Sequence, residues 1–225
     1  MLLAGVHDHG APSLAGMYDR NPSPQSVAYT RKVEDAAVEA VRRARTNLQP
    51  ARFGFGIGKT YVNINRRAFF PEKGWWWIGY NPDGPSDKTV AVLKFTDLSG
   101  KAIALFINYA VHGVVMLGDN LAITGDLPGS TSRFVERFYR AEVPISEEAK
   151  HQGLELRPEE TVSGESPVVV WTSGAAGDQN PITLDRGGIL AWSMAWVGFW
   201  EKSPCAWPTK STSCPRNLRL VAPNK

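Results

Sequence analysis

Three of the four histidines in this chain stand where metal or acid–base chemistry could be built: His7 and His9 flank Asp8, and His112 precedes Gly113. On an extended segment, side chains repeat every two residues, so a His-x-His places both imidazoles on one face. A third imidazole arriving from a distant strand completes a set of nitrogens that can hold zinc while leaving one position open. The plainer alternative is three polar residues in loops, and the two readings differ in one respect. Only the first requires segments about a hundred residues apart to meet.

The elements around them read as strands that end in Gly, His and Asp, interleaved with a few helices. Leu2 to Val6 reads as the end of a strand that delivers His7 and His9 to a loop. Ser23-Pro24 is a helix start, with Ser as N-cap and Pro at the first helical position. The spacing of Val33, Ala37, Ala40, Val41, Ala44 and Leu48 carries that helix, as a packing element, to Gln49-Pro50. Phe53 and Phe55 alternate with Gly54 and Gly56 as in a strand. Residues 88–96 and 101–111 form two further strands, joined at Asp97-Leu98-Ser99-Gly100 by a tight hairpin connection. Ile103 to Ile107 is almost wholly apolar, which predicts a central strand covered on both faces and aimed at His112.

A Gly-Asp-Leu-Pro-Gly turn then precedes a helix over 129–142, and Val168 to Thr172 reads as another buried strand leading to Gly177-Asp178. The tryptophans Trp75, Trp76 and Trp77 fall in a Gly/Pro-rich stretch read as a loop, either buried or an interaction surface. Residues 144–166, which include His151, are polar and without periodicity, so they read as a surface loop. Altogether the pattern predicts an α/β fold, a mixed sheet with flanking helices. In such folds functional groups gather outside one end of the strands, where His7, His112 and Asp178 fall.

Composition bounds the partners. The 225 residues suit about one domain, and 25 basic against 22 acidic residues leave a net charge of only +3, without blocks. That balance predicts no nucleic-acid surface and no polybasic membrane anchor. No apolar run reaches the length of a membrane span, and the N-terminal residues lack the basic start of a signal peptide. Cys205 and Cys214 could pair in an oxidising compartment but define no disulfide framework. Compartment and oligomeric state stay open.

Five segments in order resemble the neutral/alkaline (non-lysosomal) ceramidases, in their catalytic N-terminal domain. They are Val6-His7-Asp8-His9-Gly10-Ala11-Pro12, Asn63-Ile64-Asn65-Arg66, the strand pair ending in Ala110-Val111-His112-Gly113, Asp126-Leu127-Pro128-Gly129, and Gly177-Asp178-Gln179-Asn180-Pro181-Ile182. The resemblance implies a partial catalytic domain over 1–185. Residues 186–225 read as an atypical Trp/Pro/Cys-containing tail, in which Trp192, Trp196 and Trp200 recur at a spacing of four that could form one stripe of a helix, with no regular pattern beyond Glu201. It implies zinc-dependent cleavage of the amide of N-acylsphingosine, a ceramide-like lipid partner, and peripheral contact with a membrane surface. His7 and His112 would be zinc ligands, while His9 and Arg66 would lie against the reacting carbonyl. Arg suits that place because it is always charged and can stabilise a developing oxyanion.

Two departures bear on activity. The family's serine, assigned as nucleophile or metal partner, falls on Asn180, whose amide cannot be deprotonated for attack. A zinc-bound water, with a pKa of about 7, would then have to be the nucleophile. Family members also draw a Glu and a Tyr ligand from beyond this chain's length, so the sheet is expected to be incomplete at both ends. Asp126 and Asp178 each follow Gly in a turn, where Asp bonds nearby N–H groups; alternatively they orient a metal-bound His. Besides ceramide hydrolysis, two readings stay open: a metal-dependent hydrolase of other amides or esters, and an inactive homologue that binds lipid through its tryptophans.

Overall fold

The computed structural model describes residues 3–17, 20–116, 118, 120–142 and 166–182. Its elements are α1 (Pro24–Thr46), β1 (Arg52–Lys59), β2 (Asn63–Phe70), β3 (Trp75–Asn81), β4 (Thr89–Thr96), β5 (Ala102–Tyr109), α2 (Asp126–Tyr139), β6 (Val168–Ser173) and β7 (Gln179–Pro181). The fold is α/β, and its larger sheet is mixed, with strand order β1-β4-β5-β6. β1, β4 and β5 run antiparallel to one another, while β6 pairs parallel to β5 after a crossover through α2. The β4–β5 connection is tight as expected. Asp97 Oδ1 accepts from the N–H groups of Ser99 and Lys101, and Gly100 takes a φ of 100°, which costs a glycine little.

A second sheet, β3-β2-β7, was not foreseen. Its centre is the Asn63-Ile64-Asn65 stretch, whose asparagines are buried and polar and so do not read as a strand interior. They are stable there because each has partners. Asn63 Nδ2 donates to Ala110 O and Asp87 O, both at 2.7 Å, and Asn65 Nδ2 donates to Pro85 O at 2.8 Å.

Other expectations are corrected in detail. Residues 3–7 form no regular strand; the segment is tied to the sheet region by an isolated parallel bridge, Asp8 to Gly113, and by a hydrogen bond from Ser173 Oγ of β6 to Val6 O. β5 is central, but its two faces differ among the described residues: Leu105, Ile107 and Tyr109 are buried in the core shared with α2, whereas on the other face Ala104 and Phe106 are half-buried and Asn108 is exposed. The Gly-Asp-Leu-Pro-Gly turn is the first turn of α2, where Pro128 forfeits no helical bond. α1 has the expected Ser23 cap, accepting from Ser26 N at 3.1 Å, yet none of its residues is buried. Within α1 its apolar stripe is alanine and valine, side chains too small to displace much water. Trp75 to Trp77 lie in strand β3, not a loop. The polar stretch 144–166 lies outside the described residues except for Ser166, and the tail over 186–225 does so entirely, with Cys205, Cys214 and the later tryptophans.

The core joins β4, β5 and β6 to α2 through Val90, Val92, Leu105, Ile107, Trp171, Leu127 and Val135. Tyr109 couples this core to the second sheet. Its hydroxyl accepts from Asn63 N at 3.1 Å and donates to Thr60 O at 3.2 Å, while its ring is fully buried. Burial holds the phenol well above the usual tyrosine range, so it stays protonated and able to donate. Tyr109→Phe is expected to lower stability by about 1–3 kcal/mol, because Asn63 N–H loses a buried partner. Urea denaturation monitored by circular dichroism measures this.

Candidate metal centre and its arginine

Where β5 and β6 end, the chain brings the three histidines together. His112 follows the end of β5 and is 4% exposed. Its N–H donates to Gln179 O at 3.0 Å, and its Nδ1 lies 3.1 Å from the same oxygen. A carbonyl can only accept, so Nδ1 carries the ring proton and Nε2 is left with a free lone pair. That is the arrangement a metal-ligating histidine needs.

The N-terminal segment is pinned beside it. Ser173 Oγ donates to Val6 O at 2.8 Å, His9 N donates to Gly113 O at 3.4 Å, and Thr124 N donates to Gly10 O at 3.1 Å. At Gly10 a Cβ would stand 2.4 Å from Thr124 Cγ2, so only glycine allows this approach. His7 has a φ of 55°. The two imidazoles of the His-x-His therefore converge through a left-handed residue, not through strand alternation as the spacing predicts.

Ring centroids lie 4.8 Å apart for His7 and His9, 4.7 Å for His7 and His112, and 5.6 Å for His9 and His112. One nitrogen from each ring falls within 4.8 Å of the others. Tetrahedral zinc at 2.0–2.1 Å from each nitrogen needs nitrogens about 3.4 Å apart, so the rings would have to close by at most about 1.5 Å. Side-chain rotation covers that distance. Burial, then the charges of His7 and Arg66, hold His9 below the usual imidazole pKa. Burial, then Arg66 and His7, do the same for His112. Both are thus held toward the neutral form, which leaves His112 able to bind metal and His9 able to accept a proton.

Arg66, on β2, borders the cluster closely enough for its charge to act on both rings. Nε and Nη2 donate to Gly177 O at 3.1 and 2.8 Å, and Nη1 donates to Asn180 Oδ1 at 3.2 Å. Since a guanidinium has only donors, the atom of Asn180 facing it must be the oxygen. Asn180 thus braces the arginine; its amide stands where the resemblance puts a nucleophile.

The family model described as neutral/alkaline non-lysosomal ceramidase, N-terminal, matches residues 1–186. The chain belongs to this family. It is 30% identical over 158 residues to neutral ceramidase 1 of Arabidopsis thaliana, covering 65% of this chain and 20% of the relative. It is 28% identical over 148 residues to neutral ceramidase B of Dictyostelium discoideum, covering 61% and 20%. The crystal structure of neutral ceramidase from Pseudomonas aeruginosa superposes with a TM-score of 0.50 at 18% identity, over 75% of this chain and 24% of that one. That likeness speaks for the fold. The chain spans about a fifth of the length of the curated relatives it matches.

Within this ceramidase-family domain the two aspartates hold backbone and side chains in place. Asp126 is 2% exposed, and its carboxylate accepts from Val115 N at 3.1 Å, Met116 N at 2.9 Å and Leu127 N at 2.6 Å. It fastens the segment after His112 to the start of α2, acting on the backbone instead of on a ring. Asp178 accepts from Asn65 Nδ2 and Gln179 Nε2, both at 2.9 Å, and its carbonyl accepts Arg66 N at 2.7 Å. It sets the position of β2 against β7 and hence of Arg66. Asp8 closes a turn, with Oδ1 accepting Gly10 N at 2.9 Å. Burial pushes its carboxyl above the usual aspartate range, against the opposing Gly10 bond.

Sequence reasoning missed the backbone carbonyls of Gln179 and Gly177, because any residue type supplies a carbonyl. It also missed Asn65, for which the only signal was its place in the Asn-x-Asn-Arg segment. Ser173, at the end of β6, donates to Val6 O and faces Trp171 Nε1 at 3.3 Å. Asp126→Asn is expected to cost about 2–3 kcal/mol, since one of the N–H groups now held by oxygen would face an NH2. Thermal unfolding of the metal-free protein reads this out.

Proposed function

We propose that this chain carries the histidine and arginine part of a zinc-dependent site that hydrolyses the amide of N-acylsphingosine to sphingosine and a fatty acid. The observation that carries the reading is the meeting of His7, His9 and His112 within 4.8 Å beside Arg66, in a chain that belongs to the neutral ceramidase family. His7 and His112 would hold the ion, with His9 and Arg66 on the side facing the substrate. A zinc ion held there supplies the Lewis acidity that amide cleavage needs at neutral pH.

The chain's own residues account for the remaining charge and proton movements. Arg66, held by Gly177 and Asn180, places fixed positive charge where the amide oxygen becomes negative. His9 is neutral, so it can take a proton from the attacking water and return it to the departing sphingosine nitrogen as the C–N bond breaks. Asn180 takes no part as a nucleophile, because its oxygen already faces the guanidinium.

The test is to express the chain, measure zinc per protein, and follow sphingosine release from N-acylsphingosine. Folded protein that refuses added zinc overturns the metal site. Folded, zinc-loaded protein that releases no sphingosine overturns hydrolysis by this chain. A panel of acyl-amides and esters lacking the sphingoid base separates ceramide cleavage from hydrolysis of other substrates, the reading that Asn180 in place of serine favours.

A further inference from the structure

Away from the histidines, one feature has no use in the chemistry. The β2–β3 hairpin exposes Trp75, Trp76 and Trp77 to 57, 61 and 62% of their surfaces, together with Phe69, Ile78 and Tyr80. Strand alternation puts the three tryptophans on both faces of the ribbon. The rings of Trp75 and Trp77 lie 6.5 Å apart on one face, and on the other Trp76 packs 5.5 Å from Phe69, its cross-strand partner.

This two-sided display selects among occupants. A flat protein partner covers one face and leaves the other wet. A second copy pairing along the β3 edge would satisfy backbone groups, yet leave the indoles of both faces in water. A lipid–water interface surrounds the hairpin on both sides, and indole rings settle there because they offer an apolar body and a polar N–H. Exposed Arg67 and Lys73 flank the aromatic run, and exposed Glu72 offsets one of them, so the hairpin keeps a single net positive charge beyond Arg66 that suits an anionic lipid surface. Among the described residues no helix is long and apolar enough to cross a membrane. Contact through this hairpin would be made at the surface.

We propose that the β2–β3 hairpin is an interfacial docking element for a phospholipid surface, built to seat the site over lipid-embedded substrate. The inference rests on the ceramide reading for its purpose but not for its measurement. Geometry links the two, since Arg66 at the site and Phe70 at the hairpin tip lie on one strand, about 13 Å apart at the usual rise per residue.

The experiment uses the full chain and vesicles of phosphatidylcholine with about a fifth phosphatidylserine, without ceramide or zinc. Wild-type protein is expected to co-float with the vesicles, and brominated lipids to quench its tryptophan emission. The triple variant W75S/W76S/W77S, altered only at exposed positions, should keep its circular dichroism and lose vesicle affinity by more than about tenfold. It should also keep its turnover of a water-soluble short-chain ceramide while losing turnover of ceramide in vesicles. Equal vesicle binding by the variant overturns the proposal, as does wild-type protein that self-associates through these residues and ignores lipid. Vesicle binding without any turnover sinks the hydrolytic reading alone; turnover of soluble substrate without vesicle binding sinks this inference alone.

Discussion

His112→Ala is expected to lower zinc affinity by more than about a hundredfold and to remove measurable hydrolysis. The loss should exceed the tenfold to hundredfold typical of a residue that merely orients a ligand, because the ring itself, whose Nε2 is left available by the Nδ1 contact with Gln179 O, is gone. Zinc per protein after dialysis, isothermal titration with zinc, and sphingosine release measure the effect. Folding is the competing explanation, because His112 is buried and bonded twice to Gln179 O. The backbone N–H bond survives the substitution, so the stability loss should stay near 1–2 kcal/mol and the apo variant should remain folded. A variant that binds zinc as tightly as the parent would remove His112 from the metal site.

The same substitution carries a pH signature in the metal-free protein. Burial, then Arg66 and His7, depress the folded-state pKa of His112. The unfolded chain therefore takes up the proton first as pH falls through about 6.5, the ordinary imidazole value. The stability this group contributes is present above that pH and is lost as pH falls toward the depressed folded value. His112→Ala should flatten that part of the stability profile, leaving the portion due to His9, which is shifted in the same direction.

Arg66→Lys is expected to reduce kcat by about a hundredfold to a thousandfold while leaving zinc affinity nearly unchanged, the size of effect found when a preorganised donor to an oxyanion is removed. Charge is conserved in this change, so geometry is what it tests. The guanidinium reaches Gly177 O through Nε and Nη2 and Asn180 Oδ1 through Nη1, and a lysine ammonium cannot span both acceptors in one plane. Asn180→Ala should have a smaller effect, about tenfold, because both bonds to Gly177 remain. If Arg66→Lys keeps full kcat, the arginine is a structural clasp between β2 and the Gly177 turn and the oxyanion role falls.

How far the chain could be read without coordinates follows from what each feature depends on. The α1 start at Ser23-Pro24, the β4–β5 hairpin at Asp97–Gly100 and the approach of β5 to His112 are local: caps, turns and apolar runs write them in neighbouring residues. β3 was misread because Gly74, Gly79 and Pro82 surround the tryptophans, while its strand character comes from pairing with β2. The second sheet stayed hidden for a similar reason. Buried Asn63 and Asn65 look like loop residues until Ala110 O, Asp87 O and Pro85 O are seen to satisfy them. Asp126 was a candidate for orienting a ring, but three N–H groups of the backbone claim it.

From residue type and spacing alone came the metal-capable histidines, the arginine suited to an oxyanion, the α/β pattern and the ordered family segments, because those properties reside in single side chains and short runs. Tertiary structure alone decided which carbonyl fixes the His112 tautomer, that His7 turns its ring inward through a left-handed backbone, and that Asn180 braces Arg66. Each of these depends on atoms brought together from strands far apart in the chain, and a backbone carbonyl leaves no trace in the residue type that bears it.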